Sequence, residues 1–185
     1  MLHRVTEPAV LPVTLAQIKA HLRLDHADED EYLTFLIQGA TEAVQNYTGR
    51  SLMSQVWQKS LFPHPSHTVR VSSQRQPALR IALPNPPLLR VRTLTGSFSH
   101  RLPQVINDYE LLFQGDRAII ELLEPFHKVV VEFEAGYGDR PEAVPVDLRQ
   151  AILQLTALFY QKRQVFPLTE EPHLTLLMQP YRIFG

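Results

Sequence analysis

The chain has 185 residues, a formal net charge of −1, and ordinary shares of hydrophobic (44%) and charged (20%) residues, which exclude wholesale disorder and allow a sizeable core. The near-zero charge argues against broad nucleic-acid binding, which needs clustered Lys and Arg. The absence of cysteine excludes disulfides, thiolate zinc sites and cysteine nucleophiles.

The chain begins with an extended lead-in followed by a short helix. Residues 1–13 are expected to be extended because Pro8 and Pro12 disfavour helix. The next segment, Thr14-Leu15-Ala16-Gln17, has the form of a capping box, in which the threonine oxygen and the glutamine side chain satisfy backbone donors of the first turn. The sequence therefore predicts a helix that starts after Thr14 and ends near Leu24.

A second helix is predicted from about residue 29 to residue 47. Asp28 is its expected N-cap, acidic residues occupy its first turn, and Gly49 is its expected stop. Two helices with such a short link form a hairpin whose apolar faces need a third partner. The strongly patterned segment 146–163 is the expected partner, which places both ends of the chain in one helical domain.

The middle of the chain is β-type sequence. Gly115-Asp116 predicts a hairpin turn, and the Pro-rich segment 84–87 predicts a rigid turn. Several short strands separated by prolines indicate a small barrel or sandwich inserted into the helical framework. The expected strands are 55–62, 68–71, 81–83, 88–94, 109–113, 118–122 and 128–134.

A glycine-containing turn leads from the last strand into the third helix. Gly136 and Gly138 release the backbone from the strand, since glycine takes positive φ without steric cost. Pro145 is expected in the first helical turn, and Asp147 places a carboxylate near the positive end of the helix dipole. The apolar face recurs at helical spacing through Leu148, Ile152, Leu155 and Phe159.

The pattern weakens after Arg163, and the segment that follows is apolar. Residues 174–178 include three leucines and a methionine, and Pro180 to Gly185 close the chain. A terminal segment is usually frayed unless something holds it. One this apolar is expected to be buried, either against its own domain or in another protein.

Catalytic and metal-binding patterns are weak. His21 and His26 lie near the acidic run 25–31, but the run has no mid-loop glycine, and capping of a helix explains its acids better than a metal site does. His64 and His67 lack a third ligand nearby. No Gly-x-Ser-x-Gly elbow, dinucleotide motif or P-loop is present. The sequence therefore predicts no catalytic, cofactor-binding or metal-binding residue.

Six arginines are spread along the β-type region, where they could form a basic face for a polyanion. Arginines on exposed strand faces more often form a solvated surface, which is the favoured interpretation. They are Arg70, Arg75, Arg80, Arg90, Arg92 and Arg101.

With these features in place, the chain resembles the head–tail connector (adaptor) proteins of long-tailed bacteriophages and of the related gene transfer agents. The resemblance spans nearly the whole chain and rests on many moderately specific positions rather than on one diagnostic motif. The matching segments are 12–23, 30–33, 40–50, 83–88 (LPNPPL), 135–139 (AGYGD), 144–153 and 159–160.

The resemblance implies a structural, non-enzymatic protein without cofactors. It implies a homo-oligomeric ring, typically of twelve subunits, between the portal protein and the stopper or tail-completion proteins in the neck of a phage-like particle made in the bacterial cytoplasm. DNA would only pass through the ring. A membrane role is not expected, because no uncharged stretch approaches the ~20 residues of a membrane span and the N-terminus lacks the apolar run of a signal peptide.

The implied fold is α+β: a helical bundle domain with an inserted small antiparallel β domain. Residues 1–53 and 136–166 are expected to form the helical domain, residues 54–135 the β domain, and residues 167–185 a docking segment. The faces of helices 29–47 and 146–163 that are not used in the core would form subunit contacts. The resemblance implies portal docking by Leu174, Leu177, Met178, Tyr181, Arg182, Ile183 and Phe184.

Two other functions are open at this stage. A small metal-dependent hydrolase would use His21 and His26 with the acids beside them, and it would lose activity in His26→Ala. A monomeric interaction module would bind one partner through its tail and would form no ring even when a portal is present.

Overall fold

The chain folds into helices and antiparallel sheets, which confirms the predicted α+β class. A computed structural model describes residues 1–63, 79–99, 101–164 and 168–183. Within these ranges there are four α-helices and eight strands, in the order β1 (Leu2–Thr6), α1 (Leu15–Leu22), α2 (Asp30–Thr48), β2 (Gln55–Leu61), β3 (Leu79–Ala82), β4 (Leu88–Ser97), β5 (Gln104–Val105), β6 (Glu110–Gln114), β7 (Arg117–Leu122), β8 (Lys128–Ala135), α3 (Val146–Lys162) and α4 (Pro172–Met178).

These elements form two units. The β unit contains Met1–Glu7 and Ser54–Gly136, and the helical unit contains Pro8–Met53 and Tyr137–Gly185. Residues 1–7 therefore lie in the β unit, whereas the sequence placed all of 1–53 in the helical domain. The physical reason is that β1 pairs antiparallel with β2, where Leu2 lies opposite Lys59. This pairing gives hydrogen-bond partners to backbone N–H and C=O groups of β1.

The start of α1 is confirmed, but the start of α2 differs from the prediction. Thr14 Oγ1 accepts the Gln17 N–H at 3.2 Å, and the Gln17 side chain accepts the Thr14 N–H at 2.9 Å, which completes the capping box. The N-cap of α2 is Glu29 rather than Asp28, and its side chain makes no capping hydrogen bond. The chain enters α2 through a turn in which the Asp30 N–H donates to the Ala27 carbonyl, so Asp28 lies one residue too early.

The turns around α2 and α3 agree closely with the sequence. Gly49 ends α2 at a φ of 69°, and Gly136 and Gly138 take φ values of 140° and 143°, where an L side chain is strained. Pro145 lies at the N-cap of α3 rather than in its first turn, because the helix starts at Val146. Asp147 is in that first turn, as predicted.

The core of the helical unit combines all four helices. Its buried side chains come from α1 (Ile18), from α2 (Leu33, Ile37, Ala40, Val44), from α3 (Leu148, Ala151, Ile152, Leu155) and from α4 (Leu174, Met178). The expected third partner of the α1–α2 hairpin is therefore α3. Helix α4 was not predicted, and it supplies a fourth contributor. Within the described ranges, none of the helices has the length and apolar character needed to cross a membrane.

The β unit contains two antiparallel sheets that share one core. The five-stranded sheet has the order β1-β2-β8-β4-β5, and the three-stranded sheet has the order β3-β7-β6. In the central strand β8, alternate residues from Val129 to Ala135 are buried, and they pack with Ile81 and Ile120 of the smaller sheet. The arrangement is the sandwich alternative of the prediction. The expected strand 68–71 lies outside the described residues, and the short β5 was not predicted.

Candidate interaction surfaces

Hydrogen bonds on both sides of Arg182 hold the C-terminal segment against the rest of the helical unit. The Arg50 Nε–H donates to the Tyr181 carbonyl at 2.5 Å, and the Ile183 N–H donates to the Thr48 carbonyl at 2.8 Å. The Tyr181 hydroxyl donates to Asp147 Oδ2 at 3.2 Å. Burial and this hydrogen bond raise the pKa of the Tyr181 phenol above its usual value. The segment is thus part of the subunit's own structure through residue 183.

The residues predicted to dock on a portal divide into buried and accessible ones. Leu174 and Met178 are fully buried in the helical core, so they belong to no accessible surface in this conformation. Leu177, Tyr181 and Ile183 are half-buried, and Arg182 is exposed. Phe184 lies outside the described residues. The physical reason for the burial is that positions four apart share one face of α4, and that face packs on the core.

The helical unit carries an apolar groove between α2 and α3. This α2–α3 groove has a volume of about 790 Å³. Phe35, in its wall, is 66% exposed although it is a large apolar side chain. The groove is lined by Tyr32, Phe35, Leu36, Gly39, Ala43, Asn46, Tyr47, Phe159, Arg163, Gln164, Leu168 and Arg182.

The lining of the α2–α3 groove carries two arginines and no acidic residue. The Arg163 guanidinium lies over the rings of Tyr32 and Tyr160, 5.7 and 5.9 Å from their centroids, and its Nη2 is 3.2 Å from Glu29 Oε1. Arg182 lies over the Tyr47 ring at 4.9 Å. The Tyr160 hydroxyl donates to Glu29, and this hydrogen bond raises the pKa of the phenol. The guanidiniums are therefore held in place by the aromatic residues beside them.

A second apolar surface lies on the smaller sheet of the β unit. Strand β6 pairs with β7, with Leu111 opposite Ile120 and Phe113 opposite Ala118. Ile120 and Ala118 face the core, so Leu111 and Phe113 point to the same side of the sheet, yet they are 36% and 60% exposed. We call Leu111–Phe113 the β6 edge. The core that buries Ala118 and Ile120 of β7 does not bury the side chains on the same face of β6.

Three arginines of the β unit, Arg80, Arg90 and Arg92, pair with carboxylates, whereas the exposed Arg101 guanidinium lies 6.0 Å from the centroid of the Phe98 ring. Glu134 Oε2 accepts hydrogen bonds from Arg90 Nε at 2.7 Å and Arg92 Nη2 at 3.3 Å, and Ser54 Oγ donates to Oε1 at 2.5 Å. The Ser54 hydrogen bond and then those of the arginines lower the pKa of the Glu134 carboxyl. Arg80 Nε lies 2.5 Å from Glu121 Oε1. Arg70 and Arg75 lie outside the described residues.

The hypothesis of a metal site finds no cluster to support it. His26 Nδ1 is 3.9 Å from Asp28 Oδ2, but among the described residues no group of three or more His, Asp or Glu side chains could hold a metal ion. His21 lines a concave surface together with Val146 and Arg149, and that lining includes neither His26 nor Asp28. His64 and His67 are outside the described ranges.

The sequence placed expected subunit contacts on the faces of helices 29–47 and 146–163 that the core does not use, which is where the α2–α3 groove lies, but it identified neither the groove itself nor the β6 edge. The groove could have been anticipated in part, since Phe35 and Tyr32 fall three residues apart on a face of α2 that the core stripe does not use. The local sequence does not indicate that the side chains of the β6 edge are exposed, because Leu-Leu-Phe is equally typical of a buried strand.

Comparison with known proteins supports the resemblance that the sequence suggested. Residues 12–78, less than half of the chain, match the sequence model of the "Phage gp6-like head-tail connector protein" family. No match was found among curated proteins.

Solved structures show the same fold over the whole chain. A protein in the neck of an empty gene transfer agent (GTA) particle, computed with C6 symmetry, has 24% identity and a TM-score of 0.78, with 100% of this chain and 96% of that chain covered. The same identity and coverage apply to a protein of the native GTA virion, with a TM-score of 0.78, and to one of the native GTA neck computed with C12 symmetry, with a TM-score of 0.74. At this identity the likeness establishes the fold. Together with the family match, it confirms the resemblance of this chain to the head–tail connector proteins of phages and gene transfer agents.

Proposed function

We propose that this protein is a structural adaptor in the neck of a phage-like particle. Copies of the chain form a ring, of twelve subunits in the particle, between the portal protein and a stopper or tail-completion protein. The observation that carries the proposal is the coverage of the fold: all of this chain aligns with nearly all of a GTA neck protein. The connector-family match of residues 12–78 supports it independently from sequence.

The electrostatics of the chain suit a ring that extends a DNA channel. A strongly basic lumen would bind the phosphate backbone and retard the passing duplex. The net charge is −1, and three arginines of the β unit, Arg80, Arg90 and Arg92, lie in ion pairs with glutamates. The role requires no catalytic group and no cofactor.

The portal-docking part of the proposal is restricted to the accessible side of the C-terminal segment. It comprises Leu177, Tyr181, Arg182 and Ile183, with the exposed Leu176 added, while Phe184 lies outside the described residues. Leu174 and Met178 are left out because they fill the subunit's own core. For the same reason, deletion of residues 174–185 would damage the fold and could not isolate docking.

The first test is to recover the tagged protein from cells that produce the particle and to identify bound proteins by mass spectrometry. The proposal predicts portal and tail-completion proteins in multi-copy complexes. Recovery of the protein alone, or with soluble metabolic enzymes, would overturn it, and metal content and hydrolase activity would then be measured in the wild type and His26→Ala.

The docking surface is tested with a matched pair of variants. Leu176→Asp introduces a charge on the outward face of α4, while Val146→Asp does the same at an equally exposed apolar position at the start of α3; the two side chains are 66% and 64% exposed. We expect the first variant to recover less portal protein than wild type and the second to recover as much. Equal recovery by both variants would remove Leu176 from the docking surface.

A further inference from the structure

Two apolar surfaces of this chain lack a cover among the described residues, and they differ in kind. The α2–α3 groove is concave and contains the exposed Phe35. The β6 edge belongs to an edge strand, with Leu111 and Phe113 on one face and Leu112 on the other, and the three side chains are 36%, 60% and 42% exposed. Exposed apolar patches and unprotected strand edges of this type mark interaction sites.

A closed ring of identical subunits requires two different contact surfaces on each subunit. Cyclic assemblies with more than two subunits use a heterologous interface, in which one patch of each copy contacts a different patch of the next. The two patches must therefore be complementary to each other rather than to themselves. A groove and an exposed edge strand are two different patches on one chain and fulfil this condition.

The charges of the two surfaces are also complementary. The groove lining contains Arg182 and Arg163 and no acidic residue, although Glu29, outside the lining, pairs with Arg163. The segment that carries the β6 edge has exposed carboxylates at Asp108, Glu110 and Asp116, against a single arginine, Arg117. Opposite charges around an apolar contact favour the correct partner and orientation.

The edge strand of the larger sheet is a poorer match. In β1 the exposed Leu2 and Val5 are separated by His3 and Arg4, so no continuous apolar row forms. Its basic side chain would also face the arginines of the groove. The β6 edge is therefore the better occupant.

From these observations we propose that the β6 edge of one copy docks in the α2–α3 groove of the next copy and forms the subunit contact of the ring. This inference deepens the proposed function and rests on it. Phe113 is the central apolar anchor, and the acidic residues beside it approach Arg163 and Arg182. Each subunit then contributes one edge and one groove, so the contact propagates until the ring closes.

The test uses disulfide cross-linking, for which the cysteine-free chain is well suited. Asn46 lines the groove and Gln114 follows the β6 edge, and both side chains are exposed, so Asn46→Cys with Gln114→Cys leaves the apolar anchors intact. A disulfide forms only when the two Cβ atoms approach to about 4 Å. The full-length protein is oxidised both in concentrated purified form and in purified particles, and linked peptides are mapped by mass spectrometry.

The expected result is a ladder of oligomers joined by disulfides between position 46 of one chain and position 114 of another. Each single-cysteine variant should give no ladder, and neither should the control Gln150→Cys with Gln114→Cys, in which the exposed Gln150 lies outside the groove lining. Phe113→Ser added to the double-cysteine variant should abolish the ladder. Leu89→Ser, at another exposed apolar side chain of the β unit, should leave it unchanged.

Three results would overturn the inference. The first is the absence of a link between positions 46 and 114 of different chains in particles that contain the protein, and the second is such a link within one chain. The third is protection of the thiol introduced by Asn46→Cys from thiol reagents in the monomer, which would mean that the chain's own segment fills the groove. Recovery of the protein in particle necks without the link would overturn this inference alone. The link in purified protein, with no copies in particles, would overturn the proposed function alone.

Discussion

The helical unit and the β unit differ in how completely they cover their own apolar side chains. In the helical unit, α4 places Leu174 and Met178 in the core that α1, α2 and α3 form. In the β unit, the shared core ends at β7, and the inward side chains of β6 remain exposed. The helical core therefore depends on a distant C-terminal segment, whereas the smaller sheet presents an apolar face that the described residues of its own unit leave largely uncovered.

The largest expected effect tests whether α4 belongs to the helical core. Leu174→Ala removes a fully buried side chain, and we expect a loss of about 2–5 kcal/mol in the free energy of unfolding, because such substitutions lose apolar burial and leave a cavity. Urea unfolding followed by circular dichroism measures the change. The control Leu176→Ala, at a 66% exposed position of the same helix, should stay within about 0.5 kcal/mol of wild type. Equal effects would mean that α4 is not packed as described.

A pair of glycine substitutions compares packing in the two units. A Cβ at Gly96 in β4 would lie 2.5 Å from Phe126 Cδ1 and 2.7 Å from Ile106 Cδ1. We expect Gly96→Ala to destabilise the β unit by about 1–3 kcal/mol, because the packed core must shift. At Gly39 in α2, the nearest such atom is Phe159 Cε2 at 4.0 Å, so Gly39→Ala should stabilise the helical unit by about 0.5–1 kcal/mol through backbone entropy.

Thermal unfolding of both glycine variants measures whether each substitution lowers or raises stability. A stable Gly96→Ala protein would show that the core of the sandwich is looser than the distances indicate. A destabilised Gly39→Ala protein would show that the α2–α3 groove is occupied, because the added methyl group would then meet an occupant.

The smallest expected effect distinguishes an observed helix cap from an expected one. Thr14→Ala removes the side-chain acceptor of the capping box at α1, and we expect a loss of about 1 kcal/mol. Asp28→Ala should change stability by less than about 0.5 kcal/mol, because Glu29 rather than Asp28 occupies the N-cap of α2. Hydrogen exchange of the first-turn amides of α1 and α2 measures both changes. A larger loss of stability in Asp28→Ala than in Thr14→Ala would show that Asp28 is the N-cap of α2.

Local patterns predicted the elements well where the signal is contained in neighbouring residues. The capping box at Thr14, the stop at Gly49 and the hairpin turn at Gly115-Asp116 depend on side chains and φ angles within one turn. What the sequence did not predict involves distant partners. The lead-in was expected to be extended, but its pairing as β1 depends on backbone hydrogen bonds to β2, which joins segments far apart in the chain, with Leu2 opposite Lys59.

The candidate surfaces were predicted less well, for the same reason. The composition shows that residues 174–184 are largely apolar, but it does not determine whether they pack on the core of the same subunit or on another protein. Two side chains of this segment turn inward because α4 lies against α3, and Arg182 turns outward. The Leu-Leu-Phe run of β6 indicated a strand, but exposure depends on which strand pairs with it and where the opposite sheet ends.

The sequence by itself determined the α+β class, the extents of three helices to within about two residues, and the connector resemblance that the family match supports. These follow from the helical and strand periodicities and from short motifs, which are properties of neighbouring residues. Only the tertiary structure decided that β1 joins the sheet, that α4 completes the helical core, and that the described residues leave the α2–α3 groove and the β6 edge exposed. Burial and strand order arise from contacts between segments far apart in the chain, and the free energy of those contacts is not contained in any one segment.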